Sequence, residues 1–337
     1  MIPNQRLPYV DVAKGFAIWL MILGHFNVGD LLHTYIYSFH IPLFFFISGM
    51  FFRNNKPFFQ NLESAVRGLL LPYFFFSIIN LSICWISPYL HPELYYNMDS
   101  IDVYRAAISG IFIGSDRVTA TSFLPFGPLW FLVALFVVRV FCSAFSSLIK
   151  NEYLLGGGCF IVSVMLYYVL SVPVYSFQSA MLSTPFFCVG FLMRKIDFQV
   201  IRFKPLLIFL LLIYFITVIP LNGKCDSDAA VYGNWMVAYY VNALVGIMIT
   251  LLLSSYVSRY VHFIGSVGRN TLIILGMHGI FFKLIQAFCF WGFGSNSVNS
   301  LMYIIISPLF VIFLCMAIRA SFNNYFPYAV GKYKKNN

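Results

Sequence analysis

Apolar runs of membrane-spanning length follow one another along almost the whole chain. They fall at roughly 9–28, 35–52, 68–88, 128–149, 154–172, 176–193, 205–222, 235–256, 268–290 and 299–320. Each is long enough to cross about 30 Å of hydrocarbon at about 1.5 Å per helical residue. Inside a bilayer every backbone N–H and C=O must be satisfied by the protein, so such runs fold as helices or as a closed barrel. The two-residue alternation that a barrel needs is missing. The expected fold class is all-α, a polytopic membrane helical bundle of about ten transmembrane helices. Only 9% of the residues are charged and mean hydropathy is +0.84, which excludes an ordinary soluble globular domain.

The charged residues orient these spans. With the N-terminus in the cytoplasm, most Lys and Arg fall on the inner side, from Arg53 and Arg67 to Arg269 and the Lys332–Lys335 tail. Arg105, Arg117 and Lys224 fall outside, together with Asp30, Glu93, Asp99, Asp102, Asp116, Asp226 and Asp228. This is the positive-inside pattern, and it places both termini in the cytoplasm. It also accounts for the net charge of +10 without a nucleic-acid partner. The chain therefore reads as one integral membrane domain, 1–337, with a long outer loop at about 89–127 and a basic tail at about 321–337. Within that loop, Ile101–Ile113 carries apolar residues at helical spacing and is expected to form a short interfacial helix. The first run lacks a small-residue cleavage site and is expected to stay as the first helix.

Ionisable groups at membrane depth are costly, and by default they mark function. His25 follows Lys14 by eleven residues, close to three helical turns, so the two share a face about 16 Å apart along the axis. Asp11, one turn before Lys14, joins that stripe. His40, Pro42 and Ser48 interrupt the second run, and short connections make the first two spans antiparallel neighbours, so His25 and His40 are expected to meet at similar depth. Histidine can take a proton from a hydroxyl near neutral pH, which is what general-base catalysis needs. Arg67, ahead of Leu69–Phe74, suits a phosphate at the mouth of a cavity, or simply snorkels to the membrane surface. Trp130 opens the fourth span and has the aromatic belt as its plainer reading. His278, after Gly268-Arg269-Asn270-Thr271, has a satisfied packing role as its own. The seven Cys show no metal or redox spacing and read as small packing residues; no metal site and no serine nucleophile elbow is expected.

These residues, in this order, resemble the acyltransferase-3 family of integral membrane acyltransferases. Asp11–Gly15 followed by Gly24-His25 is similar to the family's first motif, with Lys14 as its basic residue and His25 as its histidine. Ser38 to Gly49 resembles the second-span signature through His40 and Pro42. Arg67 with Pro72-Tyr73 matches the start of the third span, and Pro128–Phe131 and Gly268–His278 match later signatures. Many members carry a second basic residue where this chain has Glu63, which puts the donor contacts at the inner face in doubt. Some members carry an added extracytoplasmic domain; a chain ending after its tenth span resembles the stand-alone, fucose O-acetyltransferase-like forms.

The resemblance implies transfer of an acyl group, acetyl above all, from acetyl-CoA to a hydroxyl of a cell-surface glycan or its lipid-linked precursor. His25 would be the base, with Lys14, Asp11 and His40 around it. Arg67, Arg53 and Trp130 would hold the donor. A transient acyl-His is the other route. The rival classes are a multi-span transporter or flippase using Asp, Lys and His as a proton relay, and a structural membrane subunit.

Overall fold

A computed structural model of the chain describes residues 7–84, 100–114, 127–170, 176–201, 204–294 and 300–332. The loop expected at about 89–127 lies outside them except for its helical middle and its last residue, as does the end of the basic tail with Lys334 and Lys335.

The elements are helical throughout. In order they are α1 (Pro8–Gly24), α2 (Asp30–Met50), α3 (Phe58–Ala65), a π-helical turn (Val66–Leu70), α4 (Leu71–Cys84), α5 (Ser100–Ile113), α6 (Trp130–Leu148) and α7 (Glu152–Val169). There follow α8 (Phe177–Met193), α9 (Lys204–Val218), α10 (Met236–Val257), α11 (His262–Arg269), α12 (Thr271–Phe293), α13 (Leu301–Ala317) and α14 (Arg319–Tyr325). Among the described residues there is no β-strand, only an isolated bridge between Asp226 and Val231. The short helix expected at 101–113 is α5.

Eight helical stretches among the described residues are long and apolar enough to cross a bilayer. The other two expected spans fall on α1 and α8, each of 17 residues. At about 1.5 Å per residue these reach about 25 Å, the lower end of what crosses a bilayer. Two boundaries also move. The second span begins at Asp30 rather than 35, because Gly29 at φ 80 turns the chain and Asp30 adds a carboxylate to the first turn. The third begins at Phe58, because α3, the π turn and α4 run on as one rod, Phe58–Ser82. The π turn has a local cause. Pro72 offers no N–H to the Gly68 carbonyl, and the ladder shifts so that the Leu71 N–H bonds the Val66 carbonyl.

The chain divides into two compact units. The first comprises residues up to 58 together with 141–171 and 178–271. Lipid offers little hydrophobic drive for helix pairing, so close packing decides it, and small residues let backbones approach. α2 and α8 cross at Gly49 and Gly190: Gly49 lies against the Phe187 carbonyl and Gly190 against the Phe46 carbonyl. α1 meets α11 in the same way, Gly268 against the Asp11 carbonyl and Gly15 against the Ile264 carbonyl. Pro42 is accommodated inside α2, where the Ser38 hydroxyl donates to the Tyr35 carbonyl at 2.8 Å. At one end of this unit Glu152 gathers Arg194 at 2.5 Å and Lys195 at 3.1 Å. At the other, Lys224 pairs with Asp30 at 2.6 Å. Each pair joins residues that the charge pattern assigned to one side of the membrane. α9 turns Leu206, Phe209, Leu210, Ile213 and Ile216 outward, the apolar exterior that lipid solvates.

The second unit comprises 59–140, 172–177 and 272–337. Here α4 packs on α12 with Gly276 under the Phe76 ring, and Asn80 donates to the Gly276 carbonyl at 2.9 Å and the Phe76 carbonyl at 2.7 Å. Tyr73 ties α4 to α5 by donating to the Ile111 carbonyl at 2.8 Å.

Candidate active site

The site is built where the end of α1 meets the start of α2. His25 ends the first helix rather than standing inside it: it is the C-cap of α1, its N–H bonded to the Ile22 carbonyl at 3.1 Å. The residue is exposed at the helix end. It is therefore a group that a solute can reach.

α2 supplies two further imidazoles. His33, Tyr37 and His40 stand one above another at helical spacing. His33 stacks on Tyr37 at 3.8 Å between ring centroids, and Tyr37 meets His40 edge-on at 5.0 Å. The Tyr37 hydroxyl reaches the Gly24 carbonyl at 3.5 Å, and a Cβ on Gly24 would run into the Tyr37 ring, so the residue next to His25 has room only for hydrogen. His25 lies within electrostatic range of His33, and His40 within range of both. His33 is thus a third imidazole within electrostatic range of His25 and His40.

His40 has a defined tautomer. It is 3% exposed, and its Nδ1 is 2.7 Å from the Ile36 carbonyl. A carbonyl oxygen only accepts, so Nδ1 carries the proton and Nε2 presents a lone pair. His33 differs: its Nδ1 is buried and meets no hydrogen-bond partner among the described residues.

An ordered loop between α9 and α10 adds the acidic groups. Asp226 is in electrostatic range of His33 and Tyr37, and Asp228 of Tyr37. The Asp226 carboxylate accepts from the backbone N–H groups of Asp228 at 3.0 Å and Ala229 at 3.2 Å, an Asx-type turn. Asn222, 1% exposed, holds the loop's base: its amide donates to the Tyr232 carbonyl at 2.7 Å and accepts from the Trp235 N–H at 2.9 Å. Asn222→Ala removes both bonds, a cost of about 0.5–1.5 kcal/mol each. Hydrogen exchange across 223–235 is expected to accelerate at least about tenfold while α10 keeps its protection. Cys225 in the same loop is buried, which pushes its thiol up to about 11 and leaves it protonated at neutral pH. That agrees with a packing role.

The remaining candidates lie elsewhere. Asp11 and Lys14 pair with each other at 3.3 Å on α1. They share the His25 stripe, about 21 Å and 16 Å from it along the axis. Arg53 is exposed in the connection after α2. Arg67 and Trp130 belong to the second unit. Arg67, at the π turn, is paired with Glu63 at 2.5 Å, so the acidic residue at the family's second basic position takes up part of its charge. Trp130 is not a belt residue facing lipid but is 7% exposed, edge-on to Phe131. His278 is turned back on its own helix, Nδ1 donating to the Ile274 and Leu275 carbonyls at 2.9 and 3.0 Å. Among the described residues no three His, Cys, Asp or Glu side chains are set to hold a metal ion.

His33, Tyr37 and the 222–235 loop were not expected from the sequence. The signal for the first two was present: a histidine seven residues before His40, with an aromatic residue between. Starting the second span at 35 left His33 outside the helix.

A family profile described as an acyltransferase domain, that of the acyltransferase-3 family, matches residues 7–320. Searches of curated proteins and of solved structures returned no match. A match over this length, on an all-helical chain with membrane-length apolar helices, identifies it: the chain belongs to the acyltransferase-3 family of membrane acyltransferases.

Proposed function

We propose that this acyltransferase moves an acetyl group from acetyl-CoA to a hydroxyl of a cell-surface glycan or its lipid-linked sugar precursor. It would do so in the plasma membrane, the bacterial inner membrane, with both termini in the cytoplasm. The observation that carries this reading is the accessible His25 beside His40 and His33, at the opposite end of α1 from Asp11 and Lys14. An imidazole that a solute can reach is what deprotonating a sugar hydroxyl requires.

In this reading the acceptor enters from the end bearing Lys224, Asp226 and Asp228. Its hydroxyl proton passes to His25 as the oxygen attacks the thioester carbonyl. The carbon–sulfur bond then breaks, and the proton on His25 goes to the departing CoA thiolate. His33 Nδ1, an orphaned buried polar atom, fits a second hydroxyl of the sugar. His40 is a positioning residue, held in one tautomer by the Ile36 carbonyl. The donor comes from the cytoplasm, where Arg53 and Arg67 favour its phosphates. The family match gives no support to transport as the main activity.

The test is acceptor-dependent thioester cleavage. Protein in nanodiscs with acetyl-CoA is expected to release free CoA only when envelope glycan is added. In parallel, a deletion strain is expected to lose O-acetyl signals in the NMR spectrum of its glycans. Release of CoA at the same rate without acceptor, with glycans unchanged, would overturn the reading.

A further inference from the structure

A small cavity opens at the N-terminal end of α1, on the far side of the first unit from the histidines. It measures about 90 Å³ and is lined by Pro8 and Asp11 of α1, Ser258 after α10, and His262, Gly265 and Arg269 of α11. By liquid volume this holds about three waters, the size of a phosphate group and not of a base or a sugar.

The donors around it suit an anion. Arg269 is exposed, and its guanidinium lies over Gly265, within 3.5 Å of where a Cβ would stand. It forms no ion pair with a described residue, unlike Arg67 and Arg194. His262 is exposed beside it, and Ser258 brings a hydroxyl. The one carboxylate in the lining, Asp11, has Lys14 against it at 3.3 Å, so the local balance stays positive. The glycine contacts between α1 and α11 fix this wall, because Gly268 rests on the Asp11 carbonyl. A guanidinium beside a second hydrogen-bond donor in a fixed wall is a setting for phosphate.

Length argues for whose phosphate. Asp11 and His25 are fourteen residues apart on α1, about 21 Å along the axis and within about 40° around it. In coenzyme A, thirteen bonds separate the thioester sulfur from the first phosphorus. At about 1.25 Å of advance per bond this spans about 16 Å, and about 19 Å to the second phosphorus. A fully extended donor along the Asp11–Lys14–His25 stripe thus covers most of the distance from Arg269 to His25, and the long Arg269 side chain and the His25 imidazole close the remaining few ångström. We infer that the Arg269–His262–Ser258 cavity is the subsite for one phosphate of the acyl-CoA donor's pyrophosphate. This rests on the proposed use of acyl-CoA.

The test is binding of coenzyme A and of pantetheine, which lacks the phosphates, to the full chain in phosphatidylcholine nanodiscs. Arg269→Gln is expected to weaken coenzyme A binding at least about tenfold and His262→Gln by a smaller factor, with pantetheine binding unchanged in both. Arg269 is exposed, so the variant keeps its fold, and Lys224→Gln at the opposite end is the control. Equal affinity of wild type and Arg269→Gln for coenzyme A would overturn this inference and leave the acyltransferase reading standing. No binding by the wild type would overturn both. An anionic lipid headgroup is the other source of phosphate. If phosphatidylglycerol in the nanodisc displaces coenzyme A from wild type but not from Arg269→Gln, the cavity is a lipid site and the inference falls.

Discussion

His25→Ala lowers acyl transfer by at least about a hundredfold, the lower end of what a positioned general base contributes. The protein meanwhile folds and binds coenzyme A as the wild type does. Both halves follow from the position of the side chain. It stands at the C-cap of α1, and the N–H that closes the helix there is backbone, which alanine retains. Its accessible surface means that truncation opens no sealed cavity. The loss should therefore appear in kcat, with the donor's affinity unchanged, because the interaction removed is one made with the reacting hydroxyl. His40→Ala provides the contrast. That imidazole is enclosed and bonded to the Ile36 carbonyl, so its removal costs stability as well as rate. A His25→Ala protein with wild-type turnover would remove the base from the proposed mechanism and shift attention to His33 and Tyr37. The measurement is acceptor-dependent CoA release, with thermal unfolding of each variant in the same lipid.

The features that hydropathy and helical spacing control were legible in the chain. The apolar runs, the Asp11–Lys14 pair and the helix at 101–113 all follow from periods of one or two turns. The features that escaped depend on backbone detail. His33 was missed because Gly29 and Asp30 start α2 before the apolar run begins. The first and sixth runs, read as spans of about twenty and eighteen residues, form helices of 17 residues. The Arg67–Glu63 pair needs the turn around Pro72 to be placed. The 222–235 loop carries no periodicity: its order comes from Asn222 bridging residues ten and thirteen positions away, a pattern only tertiary structure reveals. The cavity at Arg269 likewise depends on which glycines of α1 and α11 touch.

Those contacts lead to the largest expected effect on stability. At the α2–α8 crossing, Gly49 and Gly190 each face the other helix's backbone, and a Cβ at either would collide with a main-chain carbonyl, that of Phe187 or that of Phe46. A clashing side chain can change rotamer, but a carbonyl within a helix cannot move without breaking its own hydrogen bond. The helices must then part along their whole length. Because packing and not hydrophobic transfer holds helices together in lipid, a separation of even an ångström forfeits much of the interface. Gly49→Leu and Gly190→Leu are each expected to cost more than about 3 kcal/mol, beyond the usual range for overpacking. They should leave little monodisperse protein after extraction. Gly157→Leu on α7 is the control, since a Cβ there meets nothing within 4 Å and the helix gains propensity. Melting temperature and monodispersity by size-exclusion chromatography decide it. Wild-type values for Gly190→Leu would mean that α2 and α8 are further apart than the glycine contacts place them. His40 stands on α2, between Gly49 and the start of that helix, so the crossing also holds the second imidazole in place. Milder substitutions such as Gly190→Ala are then expected to reduce acyl transfer before they unfold the protein.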